Sequence, residues 1–184
     1  MKPARQAVAA AAVAAAFGVV LLGVPSCSPA SSASTRPLRH VDGLLAHGQF
    51  SEALTLALEN RRRSPGESAA AWQVARAYEG LGAARDEAAA WEEYLRLAPP
   101  TGDVCLRLSD VYHSLAQSRK VIAIVNRCLA LDDRQAELLG DLAAAYLDLA
   151  DRSAAAAALK RALAIDPSNL QFRTRLQSLE GAAP

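Results

Sequence analysis

From residue 38 onward, apolar side chains return every three or four residues, the spacing of one face of a helix, and the whole pattern returns every 34. Tyr78, Tyr112 and Tyr146 form one such column. Val74, Leu108 and Leu142 form a second; Leu81, Leu115 and Leu149 a third; Leu95, Leu129 and Leu163 a fourth; Leu97, Leu131 and Ile165 a fifth. Between Ala136 and Ala150, the residues Leu138, Leu139, Leu142, Tyr146 and Leu149 share one helical face. Small residues hold columns of their own. Ala75, Ser109 and Ala143 are one; Ala155 and Ala162 stand one helix later. Small side chains at fixed positions let two antiparallel helices approach closely while Tyr and Leu fill the flanks. Pro65, Pro99 and Pro167 each stand where a helix must stop. Asp151 and Ser118 are placed to cap helix starts. The predicted elements are helix pairs, two per 34 residues.

A different pattern fills the N-terminus. Lys2 and Arg5 precede eighteen residues, Ala7 to Val24, without a charge or a polar side chain, and Pro25-Ser26-Cys27 ends the run. A basic segment, an apolar segment and a small-residue exit are the order of an export signal. The stretch Leu22-Gly23-Val24-Pro25-Ser26-Cys27 resembles a bacterial lipobox, with cleavage before Cys27 and lipidation of its thiol. Cleavage after Ala30 or Ala33, or retention of residues 7–24 as an uncleaved anchor, are the alternatives. At about 1.5 Å per residue the run reaches about 27 Å, just short of a hydrocarbon core of about 30 Å. Residues 1–26 are therefore read as signal or anchor. Residues 27–37, rich in Ser, Ala and Pro, are read as a flexible tether. Pro37 sets a late start for the first helix.

The repeat columns carry a resemblance. The 34-residue period and the order of large and small positions resemble the tetratricopeptide (TPR) helix–turn–helix. The unit 136–169 supplies Leu139, Leu142, Ala143, Tyr146, Ala155, Leu159, Ala162 and Pro167 at the eight signature columns. The unit 102–135 supplies Cys105, Leu108, Ser109, Tyr112, Val121, Val125, Cys128 and Asp133. The unit 68–101 supplies Ala71, Val74, Ala75, Tyr78, Glu87, Trp91, Tyr94 and Pro99. Glu87 stands where Ala is expected, and Ala88 beside it suggests a one-residue adjustment in the turn. The unit 34–67 is degenerate but keeps Gly48-Gln49-Phe50-Ser51-Glu52-Ala53 and Pro65. Leu170, Phe172, Leu176 and Leu179 continue as a polar-backed cap over 170–180. The resemblance implies an all-α, right-handed α-solenoid over 38–180.

Composition narrows the function. Twenty basic and nineteen acidic residues give a net charge of +1, which becomes −1 once Lys2 and Arg5 are removed with the signal. That balance excludes a basic nucleic-acid binder. His40, His47 and His113 fall at three different places in the repeat, and no G-x-S-x-G turn exists. No metal-spaced cluster and no cofactor motif is present. The sequence reads as non-enzymatic. Cys105 opens the first helix of its unit and Cys128 lies near the end of the second. They are either buried thiols used as apolar fillers or an intra-repeat disulfide in an oxidising compartment.

TPR arrays hold a protein or peptide on the concave face that their first helices line, so the resemblance implies a groove. Its columns place Trp72, Gln73, Arg76 and Glu79 in one unit. Leu106, Arg107, Asp110, His113 and Ser114 follow in the next, then Glu137, Asp141, Ala144, Leu147 and Asp148 in the last. Arg76 and Arg107 lie in the N-terminal half, and Glu137, Asp141 and Asp148 in the C-terminal half. A dipolar groove is expected, with Trp72 and Leu106 as apolar anchors and the acidic residues receiving a basic or polar peptide. The family's carboxylate clamp is not reproduced. Asp103 stands in place of its Lys, and Asp42 and Gln73 in place of its Asn. The expected protein is an adaptor in the bacterial cell envelope, facing the periplasm or exterior and held to the membrane by lipid or helix. A self-associating envelope protein, or an accessory of an envelope enzyme or of pilus or secretion assembly, is the alternative.

Overall fold

The computed structural model describes residues 32–132 and 134–181. The expected signal, Cys27 and the first residues of the tether lie outside them. Nine α-helices occupy the described residues, with no strand: α1 (Ser32–Ala46), α2 (Phe50–Arg63), α3 (Ser68–Gly80), α4 (Ala84–Leu97), α5 (Gly102–Ser114), α6 (Ser118–Leu129), α7 (Ala136–Asp148), α8 (Arg152–Ile165) and α9 (Leu170–Gly181). None of these is long and apolar enough to cross a membrane. The second helix of each pair starts at Phe50, Ala84, Ser118 and Arg152, in steps of 34. The first helix starts at Ser68, Gly102 and Ala136, on the same step. The fold is an all-α solenoid of helix pairs closed by α9.

Each pair turns the same way. Gly48 (φ 73°), Gly82 (φ 67°), Ala116 (φ 53°) and Ala150 (φ 59°) are left-handed and again 34 residues apart. The next residue's N–H returns to the carbonyl five residues back: Gln49 to Leu44 at 2.9 Å, Ala83 to Tyr78 at 3.0 Å, Gln117 to Tyr112 at 2.8 Å and Asp151 to Tyr146 at 2.9 Å. This closure satisfies carbonyls that a helix end leaves open. Glycine adopts the turn freely in the first two units. In the last two, alanine occupies it with Cβ strain.

Packing follows the columns. Ala53, Ala75, Ala155 and Ala162 are fully buried, as are Leu138, Leu139 and Leu159; Leu142 is 3% exposed. The small columns seat neighbouring helices, and the large ones fill the space between pairs. Phe172 of α9 lies on Gly140, where a Cβ would come within 2.6 Å of its ring. The cap therefore seals the last pair through ring-on-backbone contact. Cys105 and Cys128 are disulfide-bonded, with Cα atoms 6.3 Å apart, and staple α5 to α6 inside the core.

Four details differ from the sequence reading. Glu87 is buried in the same column as Ala53, Val121 and Ala155, with Ala88 beside it, and α4 begins on the 34-residue step; the turn contains no one-residue adjustment. Ser118 is the first helical residue rather than a cap, because Gln117 precedes α6 and the Ser118 hydroxyl donates to Asp148 at 2.8 Å. Asp151 does cap α8, accepting from the Ala154 N–H at 2.9 Å. Leu149 lies beyond α7 at its C-cap and is 44% exposed, so it leaves the core face. Finally, α1 starts at Ser32, ahead of Pro37. A proline's φ suits a helix, so the chain runs through Pro37 at the cost of one N–H donor and crowding against the carbonyl four residues back.

Two measurements test this packing. Leu142→Ala should destabilise by about 2–5 kcal/mol in chemical denaturation, and Leu149→Ala by well under that, since only the first opens a cavity. Ala116→Gly and Ala150→Gly should each raise stability by about 0.5–1 kcal/mol, because glycine relieves the left-handed strain. A loss of stability in both glycine variants would contradict the turn geometry.

Candidate peptide-binding face

The first helices α1, α3, α5 and α7 form one face, and polar side chains cross each seam between them at equivalent columns. At the first seam Gln73 of α3 reaches α1. Its Nε2 donates to Asp42 Oδ1 at 2.6 Å and to the Leu38 carbonyl at 2.8 Å. Gln73 is 2% exposed, so the side chain joins helices and is not displayed.

At the second seam Arg107 of α5 occupies the same column. Its Nη1 meets Glu79 Oε1 at 2.6 Å and its Nε meets Asp103 Oδ2 at 3.0 Å. Arg76 Nη1 holds the other Glu79 oxygen at 2.6 Å, and its guanidinium stands 5.6 Å from the Trp72 ring centroid. Two cations and two carboxylates thus form one chain across α3 and α5. The expected positive half of the groove is therefore absent. Arg76 and Arg107 are neutralised internally, and Trp72 shares its face with Arg76. Beneath them Glu87 is 6% exposed and accepts from Trp91 Nε1 at 3.2 Å. Burial raises its carboxyl above the usual range, the Trp91 bond opposes that, Glu79 adds to it, and Arg107 and Arg76 reduce it.

At the third seam Asp141 of α7 occupies the column of Gln73 and Arg107. Burial raises its carboxyl above the ordinary value near 3.8; the Ser109 hydroxyl lowers it, Asp110 raises it, His113 lowers it and Glu137 raises it. Asp141 Oδ2, the Ser109 hydroxyl beside it and His113 Nε2 are closed from water, as are Gln73 Oε1 at the first seam and Arg76 Nε at the second. Asp148 is engaged elsewhere. It accepts from Ser118 of α6, and His113 Nδ1 is 3.9 Å from the same oxygen. Asp110 and Glu137 are exposed.

The structure brings Leu106 and Glu137 together with Asp103, Arg134 and Asp166 around a cleft of about 550 Å³ at the edge of this face. Asp141, Asp110 and Glu137 gather at the third seam, whereas Trp72, Gln73 and Arg76 lie toward α1. Glu79, which the reading by exposed columns had selected, Asp103 and Ser109, which it had not, make or frame the seams. Their signal was the recurrence of polar residues 28 to 31 positions apart, close to one repeat. Among the described residues, no group of three or more His, Cys, Asp or Glu side chains is placed to hold a metal ion.

The Asp141 environment has a measurable consequence. A carboxyl with a raised folded value binds its proton more tightly in the folded chain than in the unfolded one. Its ionisation therefore costs stability as pH climbs from near 3.8 through the raised value. Asp141→Asn should raise the unfolding midpoint at pH 7, with the gain shrinking toward pH 4. A variant that loses stability at pH 7 would mean that the charge is already compensated.

Comparisons with known proteins agree with this architecture. The tetratricopeptide repeat profile matches residues 136–169. No curated protein sequence matches the chain. Among solved structures, a crystal structure of MamA protein is similar at a TM-score of 0.73 and 15% identity, over 80% of this chain and 82% of that one. MamA from Desulfovibrio magneticus RS-1, from residue 41 to its end, gives 0.71 and 18% identity over 82% and 85%. YrrB, described as a TPR protein with an unusual peptide-binding site, gives 0.69 and 14% identity over 79% and 75%. Residues 136–169 are thus a tetratricopeptide repeat, and the helix pairs around it take the fold of TPR proteins.

Proposed function

We propose that this chain is a non-catalytic adaptor of the bacterial cell envelope that holds a partner polypeptide along the face of α3, α5 and α7. The observation that carries the reading is the third seam. At the first two seams the column brings a donor, Gln73 or Arg107, to a carboxylate of the preceding helix, whereas at the third it brings a carboxylate, Asp141, near the exposed Asp110 and Glu137. Solenoid faces of this kind present extended surfaces for binding. The structural similarity to a TPR protein with a peptide-binding site, YrrB, supports the same reading. Envelope placement rests on residues 1–27 of the sequence, and the Cys105–Cys128 disulfide is the kind of bond that persists in oxidising compartments. In this reading Cys27 carries a diacylglycerol, whose two chains anchor stably.

Two experiments test the proposal. A photo-crosslinking residue at Leu106 or Glu137 should trap one discrete partner in intact cells, and the same residue at Arg119 or Arg161 on the second helices should not. Identical products from both sets would remove the groove from the function. Cys27→Ser should release the protein from the membrane fraction. If that variant stays membrane-bound at full length, the lipid anchor is replaced by an uncleaved residues 7–24 helix.

A further inference from the structure

The third helix pair, α5 and α6, departs from the second and fourth at the positions that hold a pair together. The Cys105–Cys128 bond shows that two columns face each other across the pair. The column of Cys105 carries Ala71 in the second pair and Leu139 in the fourth; the column of Cys128 carries Tyr94 and Ala162. The second pair thus sets a large residue on its second helix against a small one on its first, and the fourth pair does the reverse. The third pair has a large residue at neither position. It has two sulfurs bonded to each other, on residues 1% and 2% exposed. Other positions of this pair point the same way. Ser109 buries a hydroxyl where the neighbouring pairs bury Ala75 and Ala143. Ala116, like Ala150 in the fourth pair, holds a left-handed turn that glycine holds in the first two. Pro65, Pro99 and Pro167 follow the other three pairs, whereas Asp132-Asp133 follow this one, so its unfolded chain has more freedom to lose. A cleft of about 310 Å³ over Leu95, Leu108 and Ile124 opens the flank of the pair toward α4. In a solenoid each pair is held by its neighbours, so a weak third pair weakens the array on both sides.

We infer that the Cys105–Cys128 bond is a redox gate on the fold. With the bond, the third pair holds and α3, α5 and α7 form one continuous face. With two thiols, the pair opens and that face is broken. The gate concerns folding and is independent of what the face holds; its timing rests on the envelope reading, under which the chain meets an oxidant only after export. The reaction is thiol–disulfide exchange, with a dithiol-disulfide protein as the oxidant. One cysteine thiolate attacks a sulfur of the oxidant's disulfide and expels the other sulfur as a thiolate, leaving a mixed disulfide. The second cysteine then attacks the first cysteine's sulfur in that mixed disulfide and releases the oxidant as a dithiol. One S–S bond forms and one breaks, and two electrons and two protons pass to the oxidant. The exchange needs an accessible thiolate, so it takes place on the open pair. Once the pair closes, both cysteines are buried, and a reductant reaches the bond only when the pair opens again. The gate therefore latches.

The test uses the full chain in detergent micelles, oxidised or reduced with dithiothreitol, and reads amide hydrogen exchange helix by helix by mass spectrometry. Reduction should speed exchange in α5 and α6 at least about thirtyfold, the lower end of what a disulfide contributes. Cys105→Ala/Cys128→Ala should exchange like the reduced chain. Cys105→Leu/Cys128→Ala, which gives the third pair the packing of the fourth, should exchange slowly with or without dithiothreitol. Exchange that reduction leaves unchanged would show that two thiols suffice as apolar fillers and would overturn the gate. Fast exchange in the Cys105→Leu/Cys128→Ala chain would overturn the column packing on which the gate rests. Reduction by dithiothreitol should quicken as urea is added, and a rate that urea leaves unchanged would overturn the latch. In cells, alkylation before lysis should find both thiols free in the precursor and bonded in the exported chain. A bonded exported chain with reduction-insensitive exchange overturns the gate and leaves the envelope reading standing. A reduction-sensitive chain whose two thiols stay free in cells supports the gate and overturns the envelope reading.

Discussion

The structure depends on close approach between neighbouring helices at fixed small positions. A helix pair here has too little apolar surface to close a core by itself, because Ala supplies so much of it. Stability comes from stacking, in which Ala75, Ser109 and Ala143 admit the next helix and Leu108, Leu139 and Leu142 fill the gaps. One constraint then sets the others. The left-handed turn must recur at each pair, or the second helix misses its seat. Units three and four keep that turn with Ala116 and Ala150 despite their strain, so the packing it permits outweighs the local cost. The disulfide sits in the third unit, across the two helices whose small positions include the polar Ser109. The cap ends the array by the same means, pressing Phe172 onto the bare backbone of Gly140.

Much of this was legible in the sequence because a repeat reports its own register. Three tyrosines and twelve aliphatic residues on one period set helix number and helix order, and the small residues between them fell into columns of their own. The prolines fixed the helix ends. Single residues whose position has two uses were less legible. Ser118 has the chemistry of a cap, but a residue one step into the helix points its hydroxyl sideways, and Asp148 was there to receive it. Leu149 fits the apolar period, but the helix had already ended and the turn lifted it out. Glu87 looked like a register fault because a carboxylate is a poor occupant of a buried column. The column was right: burial raises the carboxyl, and Trp91 with two arginines nearby opposes part of that effect. Cys105 and Cys128 were in register to meet, but spacing alone did not separate a bond from two fillers.

The polar face shows the limit more sharply. Column positions told which residues face the groove, and they could not tell which of those residues face each other. Arg76 and Arg107 were read as free positive charge because Glu79 and Asp103 were weighed by their own columns. Arg76 meets Glu79 and Arg107 meets Asp103 along one helix, three and four residues apart, while Arg107 meets Glu79 between helices, 28 residues apart. A cation at the protein surface has value to a partner only if its own chain leaves it unspent. The same argument works in reverse for Asp141. Its significance comes from what the neighbouring columns lack.

Seen as a whole, the face carries its charge unevenly. Around α3 and α5 the arginines meet their carboxylates at hydrogen-bond distance, so the field of that segment is nearly local. Toward α7 the acidic groups outnumber any cation within reach, and their potential extends into the groove. On the proposed adaptor reading, a polypeptide approaching this surface is steered at one end and packed at the other. In that reading, long-range attraction concentrates at the C-terminal seams, where screening by salt reduces it, while Trp72 and Leu106 would supply contact that salt leaves unchanged. A partner that fits such a face needs positive charge spaced a few residues from an apolar segment.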